Sequence, residues 1–140
     1  MGQDNVEIVR RVYQDIPRNF DPNNPMRALY APDFELDQSD LALDVEDVAV
    51  GFEAADAALR EYWETFKDFS VKLEEIIHAD ERQVVTRVRD GGRIKGSDSE
   101  VWSTFFHVWT FADSKVTRLS LHNDRNRALE AAGLPSSKQP

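Results

Sequence analysis

The residues that offer chemistry cluster near the C-terminal end of the chain. His107 stands in F-F-H-V-W-T-F (Phe105–Phe111), one imidazole among four large aromatics. Histidine exchanges its proton near neutral pH, so it can serve as a general acid or base. In so apolar a strand it is either a satisfied core residue or the working part of a pocket. His122 and Asp124 are two positions apart in L-H-N-D. An extended chain puts both on one side, where an aspartate can orient an imidazole. Together the three form the candidate catalytic set. Tyr13, Trp63, Phe105 and Trp109 are candidates to wall an apolar substrate. Ser120 adds a hydroxyl, Asp37 a carboxylate that could act as base, and Arg118 a guanidinium at a pocket rim or in an ion pair. The chain has no P-loop, dinucleotide fingerprint, HExxH or nucleophile elbow, so neither cofactor nor metal is expected.

These residues need strands to position them. Glu100–Asp124 reads as two long strands joined by a tight turn at Ala112–Lys115, the first rich in β-branched and aromatic residues. With a two- or four-residue connection, Phe111 faces Val116, Trp109 faces Arg118, His107 faces Ser120 and Phe105 faces His122. That register predicts one mixed aromatic and polar face suited to a cavity. The opposite face, with Phe106, Val108, Thr110, Thr117, Leu119 and Leu121, is suited to dry packing. A loop one residue longer would exchange the faces.

Upstream, Asp4-x-x-Glu7 resembles a capping box, and Val6, Val9, Val12, Tyr13 and Ile16 recur at helical spacing up to Pro17. Asn24-Pro25 predicts an N-cap and a short helix over Met26–Tyr30. Phe34–Asp37 reads as a short strand and Ser39–Val50 as a loop. Gly51–Lys67 reads as an amphipathic helix burying Phe52, Ala55, Leu59, Tyr62, Trp63 and Phe66. Phe69–His78 and Gln83–Arg89 are an antiparallel pair. Asp90-Gly91-Gly92 and Gly96-Ser97-Asp98 read as punctuation. Arg125–Ala132 is a terminal helix stopped by Gly133. Helices first and strands second signal an α+β fold, with helices on one side of an antiparallel sheet. Val101–Phe111 is apolar on both faces. No later element looks large enough to cover the second face, so a homodimer packing sheet on sheet, with Trp102 at the interface, is expected.

A chain of 140 residues suits one domain, taken as 1–135 with a disordered tail at 136–140. There is no cysteine, hence no disulfide or thiolate chemistry. A net charge of −9 argues against nucleic-acid binding. No apolar run suits a membrane span and no secretory signal is visible, which together suggest a cytoplasmic protein. The acidic stretch Asp33–Asp56 contains no basic residue and lacks the spacing of a calcium loop.

The chain resembles the SnoaL-like branch of the nuclear transport factor 2-like superfamily. The resemblance is carried by V-E-I-V-R-R-V-Y (Val6–Tyr13), A-L-Y-A-P-D-F-E (Ala28–Glu35) and L-R-E-Y-W (Leu59–Trp63). H-V-W-T-F (His107–Phe111), K-V-T-R-L (Lys115–Leu119) and R-A-L-E-A-A-G-L (Arg127–Leu134) extend it. It implies an α+β cone with a pocket between the concave sheet and the helices, and a frequent dimer. It puts His107 where ketosteroid isomerase-like members hold an oxyanion-donating acid. It also implies that Ser120, His122 and Asp124 share the concave face. Gln38 and Val12 fall near the isomerase base and tyrosine, so the usual isomerase pair is missing there. The implied function is a small-molecule pocket for a largely apolar ligand. Two uses are expected: a cofactor-free isomerase, cyclase or lyase using His107, or a non-catalytic binding or dimerisation module.

Overall fold

A computed structural model describes residues 2–16, 18–41 and 48–135 of the chain. Helix α1 spans Gly2–Asp15, a 3₁₀ turn spans Pro25–Leu29, and strand β1 spans Tyr30–Asp37. β2 (Val48–Val50) and α2 (Phe52–Glu64) follow, then β3 (Ser70–Ala79), β4 (Gln83–Arg93), β5 (Glu100–Ala112), β6 (Lys115–His122) and α3 (Arg125–Ala131). The six strands form one curved sheet in the order β2-β1-β6-β5-β4-β3, antiparallel except for the β1–β6 pair. This is the expected α+β cone. No described helix is long and apolar enough to cross a membrane.

Local chemistry explains most element boundaries. Asn24 caps the 3₁₀ turn by accepting from the Met26 amide at 2.8 Å. Asp113 and Ser114 both adopt left-handed φ, 53° and 65°, giving the two-residue turn whose twist suits the β5–β6 hairpin. Three expectations need correction. α1 begins at Gly2, so Asp4 lies in its first turn and does not cap it. Asn5 instead secures the helix, donating to the Asp80 and Glu81 carbonyls at 3.1 and 3.0 Å. Val48–Val50, expected in a loop, pairs with β1 as an edge strand. The Asp90-Gly91-Gly92 triplet is strand and not turn, because β4 runs on to Arg93. The expectations for Pro17, for residues 42–47 and for the tail at 136–140 lie outside the described residues.

The main core lies between α1, α2 and the concave sheet face. Val9, Val12, Phe34, Leu36, Val84, Val88, Trp109 and Val116 are all fully buried there. The convex face has its own smaller core. Val85, Phe106 and Val108 pack beneath Ala128 of α3. The terminal helix therefore covers part of the face that seemed to need a second copy.

Candidate functional site

The hairpin register differs from the expected one at a single place. Phe111 faces Val116, but next Thr110 faces Arg118, so Thr117 is an unpaired bulge residue. Beyond it Trp109 faces Leu119, His107 faces Leu121 and Phe106 faces His122. One extra residue exchanges the two faces of β6. The concave face therefore carries Phe105, His107, Trp109, Leu119 and Leu121, while Ser120 and His122 lie on the convex face beside Phe106 and Val108.

The expected site accordingly splits. His122 is buried away from the cavity, with Nδ1 2.8 Å from Asp40 Oδ2 and Nε2 3.0 Å from Ser120 Oγ. This connectivity matches that of a serine hydrolase triad. Ser120 is only 5% exposed on a ladder strand, however, and it lines neither cavity described below. The cluster instead ties the segment after β1 to β6, and Arg127 of α3 adds a third tie to Asp40. Asp124 is exposed and caps α3, accepting from the Asn126 amide. Asp37 and Glu35 both pair with Arg118 on the convex side. Ser39 and Arg118 hold the Asp37 carboxyl below its ordinary range despite its partial burial.

A cavity of about 460 Å³ opens between α2 and the concave face. His107, Trp63 and Phe105 line it, together with Leu59, Phe69, Val71, Leu119 and Leu121. Its polar lining includes Gln38, Glu61, Tyr62, Thr65 and Asp90, and, among the described residues, no lysine or arginine. Tyr13 and Trp109 stand behind this wall. Tyr13 borders a smaller cavity of about 220 Å³ with Arg10 and Gln14.

His107 is held from behind by a closed set of hydrogen bonds. The Tyr13 hydroxyl lies 2.8 Å from His107 Nδ1 and 2.8 Å from Thr86 Oγ1, and the Trp109 indole donates to it at 2.8 Å. Proton counting assigns the tautomer. Thr86 is fully buried, and Tyr13 is the partner of its hydroxyl among the described residues. If Tyr13 donated to Thr86, the Thr86 proton would have no acceptor. With Thr86 and Trp109 donating to Tyr13, and Tyr13 donating to Nδ1, every buried proton is used. The imidazole then carries its own proton on Nε2. No described residue hydrogen-bonds Nε2, and His107 lines the cavity. Burial, with a smaller contribution from His122, pushes the His107 pKa down to about 3. His107 is therefore a neutral donor at physiological pH, and not a group that charges there.

The acidic partner is one that sequence reasoning missed. Asp90 is 7% exposed and takes one hydrogen bond, from the Tyr62 hydroxyl to Oδ1 at 2.6 Å. Burial raises its pKa to about 6, against the opposing pull of Tyr62. A carboxylate near pKa 6 in an apolar cavity suits a general base. It was legible in principle, since Val84, Thr86, Val88 and Asp90 alternate inward. The Gly-Gly that follows masked it as turn chemistry. That glycine pair instead lets other backbone approach: a Cβ on Gly91 would lie 1.9 Å from the Val101 carbonyl oxygen. Gln38, also in the lining, is polar but cannot take a proton.

Comparison with known proteins agrees with this architecture. The model of the SnoaL-like domain family matches residues 9–119. Among solved structures, a protein from Jannaschia sp. CCS1 described as a SnoaL-like polyketide cyclase superposes with a TM-score of 0.67 at 21% identity, covering 99% of this chain and 95% of that one. A ketosteroid isomerase-like fold from Catenulispora acidiphila DSM 44928, in complex with trimethylamine, gives 0.62 at 17% identity over 96% and 98%. A nuclear transport factor 2-like protein from Burkholderia xenovorans LB400 gives 0.64 at 22% over 94% and 97%. No curated protein matches the chain. With the fold and the family match in agreement, the chain belongs to the SnoaL-like domain family, on a fold shared with nuclear transport factor 2-like proteins.

Proposed function

We propose that the protein is a cofactor-free proton-transfer enzyme acting on a small, largely apolar carbonyl compound. The observation that carries this reading is the pairing, in one cavity, of a carboxylate with pKa near 6 and a neutral imidazole N–H donor. Asp90 would take a proton from carbon. The electron pair would move to the carbonyl oxygen, and His107 Nε2–H would hold the resulting oxyanion. Asp90 would then return the proton at another carbon, giving isomerisation, or the carbanion would attack a second carbonyl carbon of the same molecule, opening its C=O π bond to an alkoxide that takes the proton back from Asp90, giving aldol cyclisation. Thr86, the strand partner of His107, and Asp90 are four residues apart on β4, roughly 13 Å by strand rise. The two groups therefore suit a substrate whose acidic C–H is linked to its carbonyl through conjugation. The nearby fold described as a polyketide cyclase supports this reading by its class of chemistry. The working unit in this proposal is a homodimer, with Trp102 at the interface.

Hydrogen exchange tests the reading without knowledge of the substrate. Conjugated cyclic enones incubated with the protein in D₂O should gain deuterium faster than in buffer. Asp90→Asn should abolish the gain, and His107→Phe should reduce it by roughly 10²-fold, the scale of one lost oxyanion donor. The rate should rise with pH through about 6, as Asp90 loses its proton. Equal exchange in wild type and Asp90→Asn would leave the non-catalytic binding module as the better reading.

A further inference from the structure

Asp90 poses a problem that proton transfer does not exhaust. It is a carboxylate withdrawn from water, ionised at neutral pH, and supplied with one neutral donor. Among the described residues no group hydrogen-bonds its Oδ2, and Asp90 lines the cavity. Buried charge of this kind is costly unless a counter-charge arrives. Among the described residues the cavity lining supplies none: it has Asp90 and Glu61 but no lysine or arginine.

The walls beside Asp90 are aromatic. Tyr62 lies 5.6 Å from Phe69 and 5.4 Å from Phe66, and Phe69 lies 6.3 Å from Trp63, centroid to centroid. Tyr62, Trp63, Phe69 and Phe105 all line the cavity. Ring faces attract cations, most strongly those that are weakly hydrated and lose little on leaving water. The whole chain, at −9, carries a field that favours positive ligands. No group of three or more metal-ligating side chains occurs among the described residues, so the site suits an organic cation better than a metal ion.

We propose that the Asp90 end of the cavity binds organic ammonium ions, held between the free carboxylate oxygen and the rings of Tyr62, Trp63, Phe69 and Phe105. The titratable groups that line the cavity with Asp90 are Tyr62 and Glu61 from α2 and His107 from β5, and Tyr13 of α1, neutral and buried, also feels the Asp90 charge; Val71 of β3 brings no charge. His107 is neutral, so Asp90 governs the pH dependence. An ammonium there occupies the base and excludes the substrate. That competition rests on the proton-transfer reading, whereas the binding does not.

Choline and its uncharged isostere 3,3-dimethylbutan-1-ol differ in charge at nearly constant shape. By calorimetry at pH 8, wild-type protein should bind choline at least tenfold more tightly than the alcohol. The preference should fade below pH 6 and vanish in Asp90→Asn, with circular dichroism confirming that the variant is folded. Equal affinities, no measurable choline binding, or a preference that survives in Asp90→Asn would each overturn the proposal. The two readings fail separately. Choline binding without deuterium exchange sinks the enzyme and keeps the cation site; exchange without cation preference does the reverse.

Discussion

Asp90 and His107 are shifted in opposite directions by the same cause, loss of water, and the consequences for stability oppose each other. The folded pKa of Asp90, about 6, lies above its ordinary 3.8. Its contribution is fully present below about pH 4 and is lost as pH rises through 6. Two units correspond to on the order of 3 kcal/mol. Asp90→Asn should therefore be more stable than wild type at pH 8 by up to that amount and equal to it near pH 4, as read from urea unfolding at the two pH values. A variant no more stable at pH 8 would mean that Asp90 is better solvated than its burial implies. His107 runs the other way. Its folded pKa near 3 lies below 6.5, so its contribution is present above 6.5 and drains away as pH falls toward 3. Nitrogen-15 NMR gives a sharper check. His107 should show a protonated Nε2 and a bare Nδ1, with no titration between pH 8 and 5. A proton on Nδ1 would reverse the assigned hydrogen-bond direction and make Nε2 an acceptor.

At the scale of elements, the parts read correctly from sequence are those where local pattern and tertiary need coincide. The inward face of β5, with Phe105, His107 and Trp109, follows from alternation alone, and the β5–β6 turn follows from its short polar connection. β6 was misread because the bulge at Thr117 leaves no mark in residue type. Thr117 is an ordinary strand residue whose hydroxyl reaches the Thr110 carbonyl at 3.2 Å. Every position beyond it changes face, which carried Ser120 and His122 out of the expected pocket and brought Leu119 and Leu121 in. Asp90 was hidden for the converse reason. Gly91 and Gly92 look like a turn but serve as strand, at φ of 146° and 151°. Their role can be tested directly. Gly91→Ala should cost ~3 kcal/mol or more, because its Cβ meets backbone that cannot swing aside. Gly96→Ala, also at positive φ but in open space, should cost only about 1 kcal/mol. Similar losses at the two sites would show that β4 and β5 can separate at Gly91 without penalty.

For the whole molecule, the open question is what lies against the far end of β5. α3 covers Phe106 and Val108 but leaves Val101 45% exposed and Trp102 only partly covered, with the Lys72 ammonium 4.4 Å from its ring. Two copies meeting at this end of the sheet would bury both side chains. Each copy carries −9, so association has to overcome mutual repulsion. Salt screens that repulsion, with a Debye length near 10 Å at 0.1 M. The dimer should therefore tighten as salt rises, whereas a dimer held by ion pairs would weaken. Sedimentation at low and high salt reads the sign. Trp102→Glu should yield monomers with an unchanged circular dichroism spectrum and an intact cavity, because Trp102, paired with Gly91, lies on the sheet face opposite His107 and Asp90 and does not line the cavity. A wild-type chain that sediments as a monomer at every salt concentration would remove the homodimer from the proposal. It would leave the cavity, which one chain encloses alone, unaffected.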